Sequence, residues 1–385
     1  MRGVAIVGIG YTKIGELWER SLRDLFVEAS LRALEDAGID DVDALYVGNM
    51  MSGTLQEQEH LGALLAGYIG HPGIAAAKIE AACASGGVSL HQAYMAVASG
   101  LYDVVLAGGV EKMTDRLTPD VTFSLAMADD MEYTIYSGVT FVGLNALVYR
   151  LYMHKYGVKQ EDIANFAVLM HENAVNTPHA RFRRRVKLED VLRSPLIADP
   201  IHLLECAPIS DGAAVLVLTT LERAKKLTDT PIVIRASAVA TDYLSIYERD
   251  DMLSLRATVL ASRKAYKQAK LEPKDINVLE VHDAFTILGI LALEDLGFAE
   301  RGRGAVLVKE GEIAPDGRVP TNTMGGLKAR GHPVGATGIY QAIDAILQLR
   351  GDAGKNQVPN AENALLQSTG GVGGTVAIHI LSRAD

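Results

Sequence analysis

Two cysteines, Cys83 and Cys206, are all that this chain of 385 residues contains. Two thiols build no disulfide framework, and no Cys-x-x-Cys pair provides zinc spacing. A reducing, cytoplasmic compartment is therefore expected. Long apolar runs are also missing. No stretch approaches the roughly 18 uncharged apolar residues of a membrane span, so none is expected. The short apolar run in Met1-Arg-Gly-Val-Ala-Ile-Val-Gly-Ile-Gly10 reads as a buried first strand and not as a signal peptide. Basic residues are in deficit: 37 Lys and Arg against 47 Asp and Glu give a net charge of −10, which argues against nucleic acid as a partner. An anionic small ligand on a local basic patch stays open. The hydrophobic fraction of 49% is enough for a large core and more than one domain.

What the chain does have is a repeat. Aligned on Cys83 and His332, Ala-Cys-Ala-Ser-Gly-Gly-Val-Ser-Leu-His-Gln-Ala lies over Gly-His-Pro-Val-Gly-Ala-Thr-Gly-Ile-Tyr-Gln-Ala. Gly86 then meets Gly335, Gln92 meets Gln341, and Ala93 meets Ala342. Upstream, Arg32–Asp40 matches Lys264–Glu272, and Val42–Val47 matches Ile276–Val281. A duplicated fold that places a thiol and an imidazole at equivalent helix starts points to an enzyme.

The periodicity supports this. Strands are predicted at 4–7, 43–47, 77–81 and 104–107, with helices at 21–37, 57–69 and 86–99. The order returns as strand 232–236, helix 254–269, strand 276–281, helices 286–295 and 335–349, and strand 364–368. The helices starting at Gly86 and Gly335 are apolar nearly all round, so both should be buried between layers. The predicted architecture is α/β, with two duplicated α/β halves and an inserted loop domain. The first half takes 1–113 and 198–228, the insertion 114–197, and the second half 229–385. The insertion carries predicted helices at 142–156 and 161–175. A long insertion beside a site covers it, binds substrate or makes an oligomer contact.

Cys83 lies where a short strand gives way to a helix, whose unpaired N–H groups favour thiolate. A free thiol with pKa near about 8.5 still needs a base. Buried structural packing is the competing reading for Cys83, but its small neighbours leave room for substrate. His332 sits in Gly-Gly-Leu-Lys-Ala-Arg-Gly-His-Pro-Val-Gly-Ala-Thr-Gly (325–338), where Pro333 sets the first helical turn. His282 follows directly on the strand ending at Val281, the edge where α/β sites collect, and can donate to a carbonyl oxygen. Asp283 beside it can cap the next helix. Thr369-Gly-Gly-Val-Gly-Gly374 reads either as backbone donors for an oxyanion or as a tight hairpin. Gly8-Ile-Gly-Tyr-Thr-Lys-Ile-Gly15 fails as a dinucleotide loop because Lys13 occupies the third glycine position.

Four blocks in order make the chain similar to the thiolase family over essentially its whole length. They are Cys83-Ala-Ser-Gly-Gly, Ala107-Gly-Gly-Val-Glu-Lys-Met113, Ile209-Ser-Asp-Gly-Ala-Ala214 and Gly331-His-Pro-Val-Gly-Ala-Thr-Gly338. His282-Asp-Ala-Phe285 resembles the sterol-carrier and archaeal types more than the biosynthetic bacterial type. The resemblance implies the layered α-β-α-β-α thiolase fold and a two-step Claisen condensation of acetyl-CoA. In it Cys83 carries the acetyl group, His332 activates the thiol, and His282 and His332 hold the second thioester oxygen. The backbone N–H groups of Cys83 and Gly370 would form the second oxyanion hole. Coenzyme A is substrate and product, with no separate cofactor and no metal.

One departure from the family stands out. Its second cysteine, which moves the α-proton, is replaced by Ser368 in one block and Ala284 in the other. Cys206 or His282 is the expected substitute. Ala207, beside Cys206, falls in a segment that lines the family's pantetheine tunnel. The basic run containing Arg181, Arg183 and Arg184 either meets the phosphates of coenzyme A or is a solvated loop. The resemblance also implies a homodimer or homotetramer, and a complex with hydroxymethylglutaryl-CoA synthase and a small zinc-containing OB-fold protein in the mevalonate pathway. A degradative 3-ketoacyl-CoA thiolase and a noncatalytic scaffold of the same fold are the alternatives.

Overall fold

The computed structural model describes residues 2–384. Nine strands form its main sheet: β1 Val4–Tyr11, β2 Ala44–Gly48, β3 Ala75–Ile79, β4 Val104–Glu111, β5 Gly212–Thr220, β6 Ile232–Thr241, β7 Val278–Glu280, β8 Asn363–Gly370 and β9 Thr375–Arg383. Their spatial order is β3-β2-β4-β5-β1-β6-β9-β8-β7. The duplication is visible in that order. Read from each outer edge inward, β2-β4-β5-β1 is repeated by β7-β8-β9-β6, with the same succession of parallel and antiparallel pairings. A bridge between Leu279 and Thr321 occupies the place that β3 has in the first half. Within the sheet the halves meet through two residue pairs, Ala5 with Val233 and Ile6 with Ile232.

Three helical layers enclose these strands. Helix α1 (Leu22–Ala37) begins in a capping box between Ser21 and Asp24 and ends at Gly38 in the left-handed region. With α2 (Leu61–Tyr68) it packs on the outer face of the first half. Helix α3 (Ser85–Ser99) and its counterpart occupy the middle, where Leu90 and Val97 share one core with Ile339, Tyr340 and Ile343. Alternation along β5 serves two cores: Ala213, Val215 and Val217 face outward, Ala214, Leu216 and Leu218 inward. The insertion contributes α4 (Phe141–Tyr156) and α5 (Gln160–Ala174), which share a core with α6 (Arg256–Ala269) and α7 (Thr286–Asp295) of the second half. The ring of Phe166 presses on Gly289, where a Cβ would come within 2.7 Å of it.

The expected elements are present, with the largest shifts at two of them, and strands β5 and β9 are additional to those predicted. The helix predicted at 57–69 starts only at Leu61, because Glu57 and His60 both take positive φ. The third strand is 75–79 and not 77–81, since the chain must turn before Cys83. Among the described residues, no helix is long and apolar enough to cross a membrane.

The last helix, α8 (Thr337–Arg350), is continuous with a 3-10 turn over Val334–Ala336, so the helical path starts two residues after His332. Helix α3 starts two residues after Cys83. The two helices cross backbone against backbone. A Cβ on Gly86 would sit 2.8 Å from the Gly335 carbonyl, and one on Gly338 would sit 2.3 Å from the Gly87 nitrogen. Replacing Gly338 by alanine should therefore cost about 3 kcal/mol, read as a lowered midpoint of chemical denaturation. An unchanged midpoint would show that the crossing is looser than its geometry.

Candidate active site

Crossing those helix starts brings three side chains together. The Sγ of Cys83 and one ring nitrogen each of His282 and His332 all fall within 4.8 Å of one another. All three residues are buried. The imidazoles meet edge to face, with centroids 5.2 Å apart and an interplanar angle of 85°.

Cys83 follows a strained turn. Ala82 has φ of +50°, which costs a residue with a side chain about 1–2 kcal/mol. Ser85 stabilises the turn: its hydroxyl donates to the Ala82 carbonyl and accepts from the Ala81 N–H. On the other side, a Cβ on Gly370 would meet the Ala81 carbonyl at 2.3 Å, so the hairpin between β8 and β9 abuts the turn directly. Burial pushes the Cys83 thiol up to about 12, against the opposing effect of an N–H hydrogen bond from Gly371. The resemblance names Gly370 as a donor to the oxygen of the acetyl-enzyme; beside the resting thiol lies the N–H of the next residue, which takes φ of +60° at the hairpin tip.

Hydrogen-bond partners assign opposite tautomers to the two histidines. Thr337 spends its hydroxyl proton on the Pro333 carbonyl at 3.1 Å, so at 2.7 Å it accepts from His332 Nδ1–H. The other nitrogen, Nε2, therefore carries a lone pair. His282 is the reverse: its Nδ1 accepts from the Thr369 N–H at 3.3 Å, which places the proton on Nε2. That Nε2 is buried and has no partner. One ring thus offers a base and the other a donor. Burial pushes His332 down to about 3, helped by the Arg330 guanidinium. The same burial, with His332 and Arg330 beside it, holds His282 well below its ordinary value. A thiol and two imidazoles form a possible metal-ligand set, but a proton on His282 Nε2 leaves that atom no lone pair for an ion.

Glu111 and Asp283 hold the frame. Glu111 accepts from the Asn49 amide and from the N–H groups of Met50, Met51 and Gly335, at 2.9–3.0 Å, so it ties the first half to the His332 block. Burial raises its carboxyl to about 7 against those three backbone donors. Capping of the helix that follows is one role open to Asp283 in the sequence. Instead it accepts from Asn322, Leu327 N–H and Lys328 N–H, capping the short helical turn 326–330 that leads to His332. Sequence reasoning did not single out Glu111 or Thr337. A polar residue ending an otherwise apolar strand was the one available sign for Glu111.

The family model described as Thiolase, N-terminal domain matches residues 4–222, and that described as Thiolase C-terminal domain-like matches 238–383. The chain belongs to the thiolase family. It is 50% identical to an acetyl-CoA acetyltransferase of Methanothermobacter thermautotrophicus, covering 100% of both chains. It is 46% identical to one of Methanocaldococcus jannaschii, covering 99% of both. Among solved structures, the Ltp2-ChsH2(DUF35) aldolase matches with a TM-score of 0.85 at 28% identity, over 99% of this chain and 98% of that one.

The remaining sequence candidates of this thiolase sit outside the cluster. Cys206 turns its thiol toward the His202 carbonyl at 3.6 Å, and burial pushes it up to about 12 against the nearby Lys328 ammonium. Its segment does form a wall of the site: Ala207 N–H donates to the Ala284 carbonyl at 2.8 Å, and Ile209 bridges to His332. Arg181 braces that wall by donating to the Ile209 carbonyl and pairing with Glu16. It is committed to protein partners, whereas Arg183 and Arg184 are exposed.

Two neutral partners at rest make a distinct prediction. The rate of Cys83 alkylation by iodoacetamide should rise about tenfold per pH unit between pH 7 and 9, because thiolate is scarce until pH approaches about 12. A plateau below pH 7 would reveal a standing thiolate–imidazolium pair and refute this. Thr337→Val, which removes the acceptor for His332 Nδ1, should slow catalysis about 10–100-fold.

Proposed function

We propose that this chain is an acetyl-CoA C-acetyltransferase, which joins two acetyl-CoA molecules into acetoacetyl-CoA and free coenzyme A. The observation that carries the reading is the pair of opposed tautomers around Cys83. His332 Nε2 takes the thiol proton, and the thiolate attacks the first thioester carbonyl. Cys83 gains the acetyl group while the coenzyme A sulfur leaves with the proton from His332. Creating thiolate and imidazolium side by side offsets much of the burial that opposes either charge alone.

His332 is then neutral again. In the second half, the thioester oxygen of a new acetyl-CoA accepts from His282 Nε2–H, a donor kept unpaired in a buried place for a developing negative charge. His332 Nε2, the one lone pair directed at the cluster, takes the methyl proton. The carbanion attacks the acetyl-Cys83 carbonyl, whose oxygen is met by backbone N–H groups at Cys83 and the 370–371 corner. The carbon–carbon bond forms, the Cys83–acetyl bond breaks, and His332 returns the proton to sulfur. This assignment frees Cys206 from the role that the missing second cysteine suggested for it, and it gives His282 the oxygen and not the proton.

Condensation is uphill, so a following synthase that consumes acetoacetyl-CoA would draw the reaction forward. An assembly with hydroxymethylglutaryl-CoA synthase and a small zinc-containing OB-fold protein fits that need. The aldolase neighbour, named together with a DUF35 component, supports an assembly of this kind. Residues Arg183 and Arg184 are the exposed cations proposed to meet the phosphates of coenzyme A.

Peptide mass spectrometry after incubation with acetyl-CoA tests the first half-reaction. An acetyl group should appear on Cys83 and be absent from Cys83→Ala and His332→Asn. His282→Gln should keep the acetyl mark yet lose at least about 100-fold in condensation. Cys206→Ala should condense normally, and a condensation defect there would return the proton to Cys206. An unmarked wild type that still binds coenzyme A would favour the scaffold reading.

A further inference from the structure

The hairpin that supplies Gly371 to the site is held by its own turn hydrogen bonds, by the Asp242 N–H on the Gly374 carbonyl at 3.0 Å, and by the buried Val372 side chain. Four of its five residues, Gly370-Gly-Val-Gly-Gly374, have no side chain to pack, and Gly371 and Gly373 both take positive φ. Glycine gives a turn the freedom to reach this shape and equally the freedom to leave it. Yet the N–H at its tip must stay aimed at Cys83.

One polar side chain reaches the carbonyl at its tip. Arg249, in the connection between β6 and α6, donates from Nη1 to the Val372 carbonyl at 2.5 Å. Its Nε and Nη2 donate to the Tyr243 carbonyl at 2.9 and 2.8 Å, and Nη2 also reaches the Leu244 carbonyl at 3.1 Å. The guanidinium fork is thus spread over three backbone carbonyls, one in the hairpin and two in a neighbouring loop. The residue is 8% exposed, and the Asp242 carboxylate at 3.8 Å offsets its charge. A planar fork with fixed donors suits such clamping better than an ammonium does.

We infer that Arg249 is a positioning residue, which clamps the glycine hairpin through Val372 so that the Gly371 N–H stays on Cys83 and its acyl group. Its effect on acetyl transfer rests on the activity proposed above, whereas its effect on the hairpin does not.

The test uses the full chain with Arg249→Gln, Arg249→Lys and, as a control, Arg256→Gln. Arg256 lies on the far side of Asp242, at 3.9 Å, and is exposed. Two quantities are measured: amide hydrogen exchange in the 369–374 peptide, and single-turnover acetylation of Cys83 across acetyl-CoA concentrations. For Arg249→Gln, exchange should be faster and the maximal acetylation rate lower, each by about tenfold or more, the loss of one hydrogen bond from a charged group. The half-saturating concentration should not move. Added guanidinium ion should restore both quantities, Arg249→Lys should fall between, and Arg256→Gln should match the wild type. Wild-type exchange in Arg249→Gln would overturn the clamp, and faster exchange with unchanged acetylation would overturn its service to Cys83. If Arg249→Gln does not fold, Arg249→Lys carries the same comparison. Absent acetylation in the wild type would instead sink the acetyl-transfer reading, and hairpin exchange would still report the clamp.

Discussion

Everything in this site depends on how closely two helix starts can approach. Helices α3 and α8 cross with Gly86 and Gly87 against Gly335 and Gly338, at separations that exclude even a methyl group. That contact is short because neither helix presents a side chain there. It places the residues just before each helix on the same side of the crossing, which is why a thiol and an imidazole far apart in sequence become neighbours. The sheets add little to this directly, since their halves share only two residue pairs. They set the angle from which the helices meet.

The cost of this closeness is burial. A sealed crossing strips water from Cys83, His282 and His332, and each neutral form is favoured for that reason. The chain compensates by ordering protons and not by keeping charges. Thr337 and the Thr369 N–H select which nitrogen of each ring carries hydrogen, so that one ring accepts and the other donates while both stay neutral. Around them, Glu111 gathers donors from both halves and Asp283 collects those that precede His332. Glu111 and Asp283, both buried, are multiply hydrogen-bonded, as the interior demands.

Much of this is legible in the sequence. The internal match of Cys83 to His332 predicted the duplication, and the periods predicted seven of the nine sheet strands but not β5 or β9. The other misses share a cause. Local pattern does not reveal positive φ at Glu57 and His60, nor that Asp283 would serve a turn more than forty residues downstream instead of its own helix. Thr337 looks like an ordinary N-terminal helix residue until the ring of His332 folds back on it. Cys206 looked like a proton carrier because of what the family has elsewhere, whereas its thiol faces a carbonyl outside the cluster.

The sequence by itself determined the two-half α/β architecture, the pairing of Cys83 with His332, and the choice of His282, because hydrophobic period, glycine placement and an internal repeat are local properties of a chain. Tertiary structure alone decided which nitrogen of each imidazole bears a proton, that Gly371 faces the thiol, that Cys206 does not, and that Arg249 grips the hairpin. Those are matters of a few tenths of an ångström and of hydrogen-bond direction between residues distant in sequence, and only the packed fold brings such residues within reach of one another.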